Sequence, residues 1–310
     1  MLANGEHPRA TVLVGADRAL YGTGSTGGAN SAGVAFRFTN PTVLSIAPAS
    51  GPAAGGTPVT IAGTLFQGLA SVTIGGSVPT GIVIAPTQIT ADTPALSPGS
   101  LNDLVVTNPD KTIGSLRDGF FADFLDVPQG DPFHDFVESL VRNGVTAGCG
   151  SGNYCRDSSV TRAQMAVFLL KGKHGPLYAP PPCTGVFGDV ACSPVPAFAA
   201  DWIEQLAAEG ITGGCGGGNY CPGDAVTRAQ MAIFLLKGEH GSAYAPPACA
   251  GLFADVACSP VPAFAVDWIE QLYNESVTGG CGVGPLRYCP DASVTRGQMA
   301  VFIDKALLTP

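Results

Sequence analysis

The sequence predicts a multidomain protein, an all-β sandwich followed by an α-helical threefold repeat. Three observations carry this. Six short runs rich in Val, Ile and Thr crowd into residues 40–123, divided by Pro, Gly and Asp, as the strands of a sandwich are. The phrase "VTRAQMA" stands at 160–166 and again at 226–232, with "VTRGQMA" at 294–300. The chain holds 42 Gly and 26 Pro, too many for a mainly helical protein and suited to turns, short strands and linkers.

The totals narrow the function. A chain of 310 residues is long enough for two or more domains with real cores. Charged residues make up 13% and hydrophobic ones 45%, which excludes a charge-rich disordered chain. The net charge is −9 and the 15 Lys and Arg form no basic run, so nucleic acid is excluded as a partner. No apolar run reaches the roughly 18 residues of a membrane span. No cofactor motif is present.

Residues 1–39 read as a partial β-repeat or leader. Val12 and Val14, then Val34, Phe36 and Phe38, alternate at period two as half-buried strands do. The stretch "ALYGTGSTGGANSAGVAFRF" resembles one unit of the GloVer-type tandem β-repeats of large secreted bacterial proteins. That resemblance implies further repeats upstream. The opening "MLANGEHPRATVLVG" lacks the basic segment and long apolar core of a secretory signal.

Within 40–123 the expected strands are Val43–Ile46, Val59–Ile61, Ser71–Ile74, Ile82–Ile84, Gln88–Ala91 and Leu104–Thr107. The stretch "VLSIAPASGPAAGGTPVTIAGTLF" (43–66) resembles the opening of the IPT/TIG family of immunoglobulin-like domains. Pro48, Gly51, Pro52, Gly55, Gly56, Thr57, Val59, Thr60, Ile61, Gly63 and Phe66 stand in that family's order. The resemblance implies a spacer or an interaction module, open to contacts with other surface proteins.

The repeat divides into units 124–174, 187–240 and 253–308, joined by Pro- and Gly-rich linkers 175–186 and 241–252. Each unit starts on F-x-D-V, passes through a helical stretch and a Cys-bounded glycine loop, and ends in the repeated phrase. In that phrase Thr161, Thr227 and Thr295 stand at helix N-caps, with Gln164, Gln230 and Gln298 three residues on, a capping box. Val160 and Met165, and their counterparts, form a hydrophobic staple. Lys171 and Gly172 suit the end of the first such helix.

Arg162, Arg228 and Arg296 are left over, because a cation in the first helical turn opposes the helix dipole. Two readings compete. Each Arg closes the loop by pairing with a nearby acid, Asp157, Asp224 or Asp291, or each Arg joins the helix N-terminus in receiving an anion. In the preceding helix, Phe198, Trp202, Ile203 and Leu206 form one face and Gly210 suits its end, where the third unit has Ser276. Phe133, Phe136, Phe198, Trp202, Phe264 and Trp268 are expected in the core, with one aromatic per unit lining a groove as the alternative.

The ten cysteines come and go in pairs. Cys149 with Cys155, Cys215 with Cys221 and Cys281 with Cys289 bound the glycine loops; Cys183 with Cys192 and Cys249 with Cys258 occur only in the second and third units. Such pairs behave as disulfide partners. Zinc, the alternative, normally takes four ligands, and the first unit offers two Cys with no His at ligand spacing. Disulfides imply an oxidising compartment, hence an extracellular, cell-surface protein. The absent signal is then expected to reflect an incomplete N-terminus.

Taken together, F-x-D-V, a helix, G-[IV]-T-x-G, a glycine loop ending in Y-C and V-T-R-A-Q-M-A resemble the S-layer homology (SLH) family, in a cysteine-containing subclass. Three tandem units imply a pseudo-threefold helical assembly whose inter-unit grooves bind cell-wall polysaccharide, pyruvylated polymers being the best-known ligands. By position the ligand role falls on Arg162, Arg228 and Arg296. Gln replaces the family's usual Glu after the arginine, and Gly297 replaces Ala in the third motif, weakening that helix start. The resemblance implies a non-catalytic cell-surface protein; the alternative is the anchoring tail of a secreted enzyme or adhesin whose active domain lies upstream. The chain itself shows no G-x-S-x-G, H-E-x-x-H or phosphate-binding loop. His134, beside Asp135 and Glu138, reads as part of a polar helix face.

Overall fold

The structure, a computed structural model, describes residues 6–8, 13–14, 20–26, 33–38, 40–192, 197–259 and 263–308. Two compact units divide the chain, Met1–Ala122 and Asp123–Pro310.

In the first unit, β1 (Glu6–Pro8), β2 (Leu13–Val14), β3 (Leu20–Thr26) and β4 (Val34–Phe38) form an antiparallel sheet around β3. Most of the glycine turn of the GloVer-like stretch, residues 27–32, lies outside the described residues. Two four-stranded sheets follow. One orders as β5 (Thr42–Ala47), β7 (Pro58–Thr64), β10 (Gln88–Asp92) and β9 (Thr80–Ala85). The other orders as β6 (Ser50–Gly51), β12 (Ile113–Ala122), β11 (Leu101–Thr107) and β8 (Ser71–Ile74), with β6 parallel to β12. The alternation that predicts these strands also builds the core: Val59 and Ile61 from β7, Ile89 from β10, Val72 and Ile74 from β8, and Leu104 and Val106 from β11 pack together.

All six expected strands form; Ser71–Ile74 has the expected bounds and the other five are somewhat longer than the sequence suggests. One long strand was not expected. In β12, Asp118 adopts φ 50°, and the register against β11 shifts between Asn102 and Leu104. This irregularity breaks the period-two pattern in the middle of the strand, so Ile113–Ala122 does not read as alternating.

Among the described residues of the second unit, six helices come in pairs. The first helix of each pair is α1 (His134–Arg142), α3 (Ala200–Ala208) or α5 (Val266–Asn274). The second is α2 (Arg162–His174), α4 (Arg228–His240) or α6 (Arg296–Ile303), the last continued by a π-helical turn over Asp304–Leu308. The strands β13 (Gly282–Val283) and β14 (Leu286–Arg287) make a small hairpin in the third cysteine loop.

Each second helix starts as the sequence predicts. The hydroxyls of Thr161, Thr227 and Thr295 accept the amides of Gln164, Gln230 and Gln298, whose side chains accept the threonine amides in return. The ends differ from expectation. The first of these helices runs past Lys171 and Gly172 to His174 and stops at Gly175, φ 88°. Gly172 is a close-approach residue instead: a Cβ there would lie 2.9 Å from Ile303 and 3.1 Å from Leu307. Ser276 does what Gly210 does, with φ 63° against 69°, so the third unit's first helix ends like the second's.

The three repeats are joined head to tail. Val226 N donates to Val160 O (3.0 Å), Val294 N to Val226 O (2.9 Å) and Val160 N to Val294 O (2.9 Å). The third link returns to the first repeat, and all three valines are fully buried.

The linkers are docked rather than loose. Tyr178 lies 4.3 Å from the His174 ring and meets Trp202 edge-on at 6.0 Å; Tyr244, His240 and Trp268 repeat the arrangement. Buried Glu204 accepts the amides of Thr184, Gly185 and Val186, and buried Glu270 those of Ala250, Gly251 and Leu252. Burial pushes the Glu204 carboxyl up, but the backbone donors outweigh it and hold the group below the usual carboxylate range. The ten cysteines form five disulfides, Cys149–Cys155, Cys183–Cys192, Cys215–Cys221, Cys249–Cys258 and Cys281–Cys289, with Cα separations of 5.7 to 6.1 Å.

Candidate functional site

The three arginines stand at the first helical positions of α2, α4 and α6, and all three are buried. Their surroundings explain why. Arg162 Nε donates to Tyr220 O (2.8 Å), Arg228 Nε to Tyr288 O (2.8 Å) and Arg296 Nε to Tyr154 O (2.7 Å). Each guanidinium lies over the same tyrosine ring at 4.7 Å, and near Phe234, Phe302 or Phe168 at 5.2 to 5.5 Å. Each tyrosine hydroxyl donates back to the arginine's own carbonyl at 2.8 to 2.9 Å. Burial raises all three phenols far above their ordinary value, so they act as un-ionised donors.

The tyrosines are placed by the F-x-D-V phrase. Asp126 accepts the amides of Tyr154 and Cys155; Asp189 does so for Tyr220 and Cys221, and Asp255 for Tyr288 and Cys289. These same three acids are the carboxylates whose charge acts on the guanidinia. The expected pairing with Asp157, Asp224 and Asp291 is replaced by this arrangement. Asp157 sits beside Arg156 at 3.3 Å, and Asp224 reaches Arg162 with its backbone carbonyl, which accepts the Arg162 amide at 2.9 Å.

The helix-terminus half of the anion reading is also corrected. The amides of Arg162 and Ala163 donate to Asp224 O and Pro222 O, and that of Gln164 to the capping hydroxyl. The other two helices repeat this, so their leading amides are spent on the neighbouring repeat. Only the guanidinium is left to face a ligand.

It does face a groove. Three grooves, with cavity volumes near 250, 200 and 230 Å³, are built alike. The first combines Arg296, Thr146, Gly148, Gln164, Lys171 and Phe198. The second has Arg162, Thr212, Gly214, Gln230, Lys237 and Phe264 in those places, and the third Arg228, Thr278, Gly280, Gln298, Lys305 and Phe133. Every groove therefore takes its arginine from one repeat, its Thr–Gly turn and lysine from the next, and its phenylalanine from the one after that.

The core assignment of Phe198 and Phe264 is corrected here: they are 70% and 68% exposed because they precede their helices and stand on the groove wall. The lysines were missed, since Lys171 reads locally as a helix-end charge. The signal was available in the constant interval from Arg162 to Lys171, Arg228 to Lys237 and Arg296 to Lys305. Gln164, Gln230 and Gln298 serve both the cap and the groove lining.

Chemically, a guanidinium, an ammonium and an apolar ring around an open cavity suit an anionic ligand with a flat apolar face, such as an acidic sugar. Among the described residues, the cluster of most metal-like composition is Glu239, His240 and Glu275. There His240 Nε2 lies 3.0 Å from Glu275 Oε1, and the cluster holds the end of α4 to the end of α5. His174 and Glu209 make the matching contact one repeat earlier, at 2.7 Å. His134 is not on a polar surface. It is buried, 2.9 Å from Asp123 Oδ1 and 3.0 Å from Asp135 Oδ1.

Comparison with known proteins adds the following. The IPT/TIG domain model matches residues 41–121. The S-layer homology domain model matches residues 123–166 and 193–232. No curated protein matches the chain. An auxiliary nutrient binding protein from Bacteroides ovatus ATCC 8483 aligns at 19% identity over 28% of this chain and 21% of its own, with a TM-score of 0.24. The full extracellular region of plexin A4 aligns at 22% identity over 34% of this chain and 11% of its own, also at 0.24. The chain thus spans 21% and 11% of the length of those structures.

Proposed function

We propose that this is a non-catalytic cell-surface protein, held to the cell envelope by residues 124–308 as a pseudo-threefold triplet of S-layer homology units, the third included. Grooves between the units bind cell-wall polysaccharide, with the arginines Arg162, Arg228 and Arg296 as the candidate groups to meet a sugar-borne carboxylate. The IPT/TIG domain serves as spacer or interaction module.

The observation that carries the reading is a pair of unsatisfied cations. One terminal guanidinium nitrogen of Arg162 and one of Arg296 is buried without a hydrogen-bond partner, and each of these arginines lines a groove. Leaving such a donor unpaired costs about 1–3 kcal/mol or more, a cost that a bound carboxylate removes. Lys171 and Lys237 add charge to the same grooves, and Phe198 and Phe264 offer faces on which a pyranose can stack.

The test is co-sedimentation of the oxidised full chain with cell-wall sacculi from the source organism. Wild type pellets with the sacculi; Arg162/Arg228/Arg296→Ala, shown folded by circular dichroism, stays in solution. A folded triple variant that pellets as well as wild type removes the arginines from the site.

A further inference from the structure

The grooves are alike in composition but differ in how fully their polar groups are satisfied. In the first and second, the Nη2 atoms of Arg296 and Arg162 are buried without a hydrogen-bond partner. In the third, Arg228 Nη2 donates to Thr278 Oγ1 at 3.4 Å. Thr278 is only 7% exposed, whereas its counterparts Thr146 and Thr212 are half-buried. The third groove's lysine is hydrogen-bonded, Lys305 Nζ donating to Ser276 O at 3.2 Å, whereas Lys237 of the second lies over the Trp268 ring at 5.9 Å.

The aromatic wall differs in the same direction. Phe198 and Phe264 stand mostly exposed, but Phe133 is half-buried. It packs against the start of α6, where Gly297 leaves room: a Cβ there would lie 2.6 Å from the Phe133 ring. The first two repeats carry Ala163 and Ala229 at that place. The departure at Gly297 is thus explained by the seating of Phe133, not by helix propensity.

Three contacts make the third groove self-satisfied, and its cavity volume of about 230 Å³ matches the others, so the difference is chemical rather than a matter of space. We propose that the triplet binds two acidic sugar residues, not three. The first groove binds through Arg296 and the second through Arg162. The third is a structural closure, in which Thr278 and Phe133 take the places that a carboxylate and a sugar ring take in the other two. This rests on the anchoring function argued above and specifies its stoichiometry.

The experiment is a titration of the oxidised full chain with methyl 4,6-O-pyruvyl-mannopyranoside, followed by amide NMR and calorimetry. Gly148, Gly214 and Gly280 report one groove each. The expected result is saturable shifts at Gly148 and Gly214, no shift at Gly280, and two sites per chain by calorimetry. Arg296→Ala then abolishes the shift at Gly148 alone and Arg162→Ala that at Gly214 alone, each leaving one site. A saturable shift at Gly280, or three sites, overturns the two-site proposal while the anchoring function stands. Saturable binding that perturbs none of the three glycines, or no binding by this sugar or by hydrolysed cell-wall polysaccharide, overturns both. The wild-type titration decides the matter even if an arginine variant fails to fold.

Discussion

Arg162, Arg228 and Arg296 occupy helix positions that cost a cation a few tenths of a kcal/mol. Each recovers more than that from a charged hydrogen bond to a tyrosine carbonyl and from a tyrosine ring at 4.7 Å. The side chain is thus structural through Nε, and in Arg162 and Arg296 one terminal nitrogen is left without a partner. Arg162→Ala is expected to lower stability by about 2–3 kcal/mol in urea, because it leaves Tyr220 O buried without its donor. A change below about 0.5 kcal/mol would show that the clamp contributes little. His134 gives a second test at this scale. The hydrogen bond to Asp123 raises it, burial opposes this, and Asp135 and Glu138 add to the rise, bringing it from 6.5 to about 9. A raised folded value means that the stabilisation is fully present below about pH 6.5 and is lost as pH climbs through 9. The helical unit should therefore lose about 1–3 kcal/mol between pH 6 and 10, and His134→Asn should abolish that slope. An unchanged slope in the variant would assign it to other groups.

At the scale of elements, what the sequence reveals is what is local. Thr161 and Gln164 are three residues apart, and their capping box is legible without knowing anything else about the fold. Gly172 is not, because its reason is Ile303 and Leu307, more than a hundred residues away. Phe198 was misplaced because helical periodicity was extended two residues beyond the helix, whose N-cap is Ala199 in the left-handed region. The strand β12 was hidden by the bulge at Asp118. Gly297 shows the same division. Propensity alone says that Gly297→Ala gains about 1 kcal/mol, whereas the Phe133 ring in the way says that it loses about 1–3. The expected net result is destabilisation in urea, relieved when Phe133→Ala is added. A stabilised single variant would mean that Phe133 moves aside freely. Thr227→Ala, which removes one cap and nothing else, should cost about 1 kcal/mol.

Across the whole helical unit, the grooves exist only because the repeats close on one another. No repeat owns a groove: the first takes Arg296 from the third repeat and Phe198 from the second. The valine links and tyrosine clamps run in the same cyclic order, so each repeat satisfies buried groups of its neighbour. Sequence showed the three copies but not this sharing, since nothing in "VTRAQMA" says that its arginine reaches into the next copy. The sharing has a consequence for cooperativity. A chain ending at Leu252 keeps two complete repeats by sequence, yet loses the acceptors of Arg228 Nε at Tyr288 and of Val160 N at Val294. It also bares Tyr154 O, which Arg296 caps. Each of these groups is then buried without a partner, or is exposed by local opening, at about 1–3 kcal/mol apiece. Together they approach the whole stability of a domain this size. The shortened chain is therefore expected to show no protected amides in α2 and α4 by hydrogen exchange, whereas the full chain protects α2, α4 and α6 to the same free energy. Protection of α2 and α4 surviving in the shortened chain would mean that the repeats stand singly, and that groove formation is a late docking of pre-folded units.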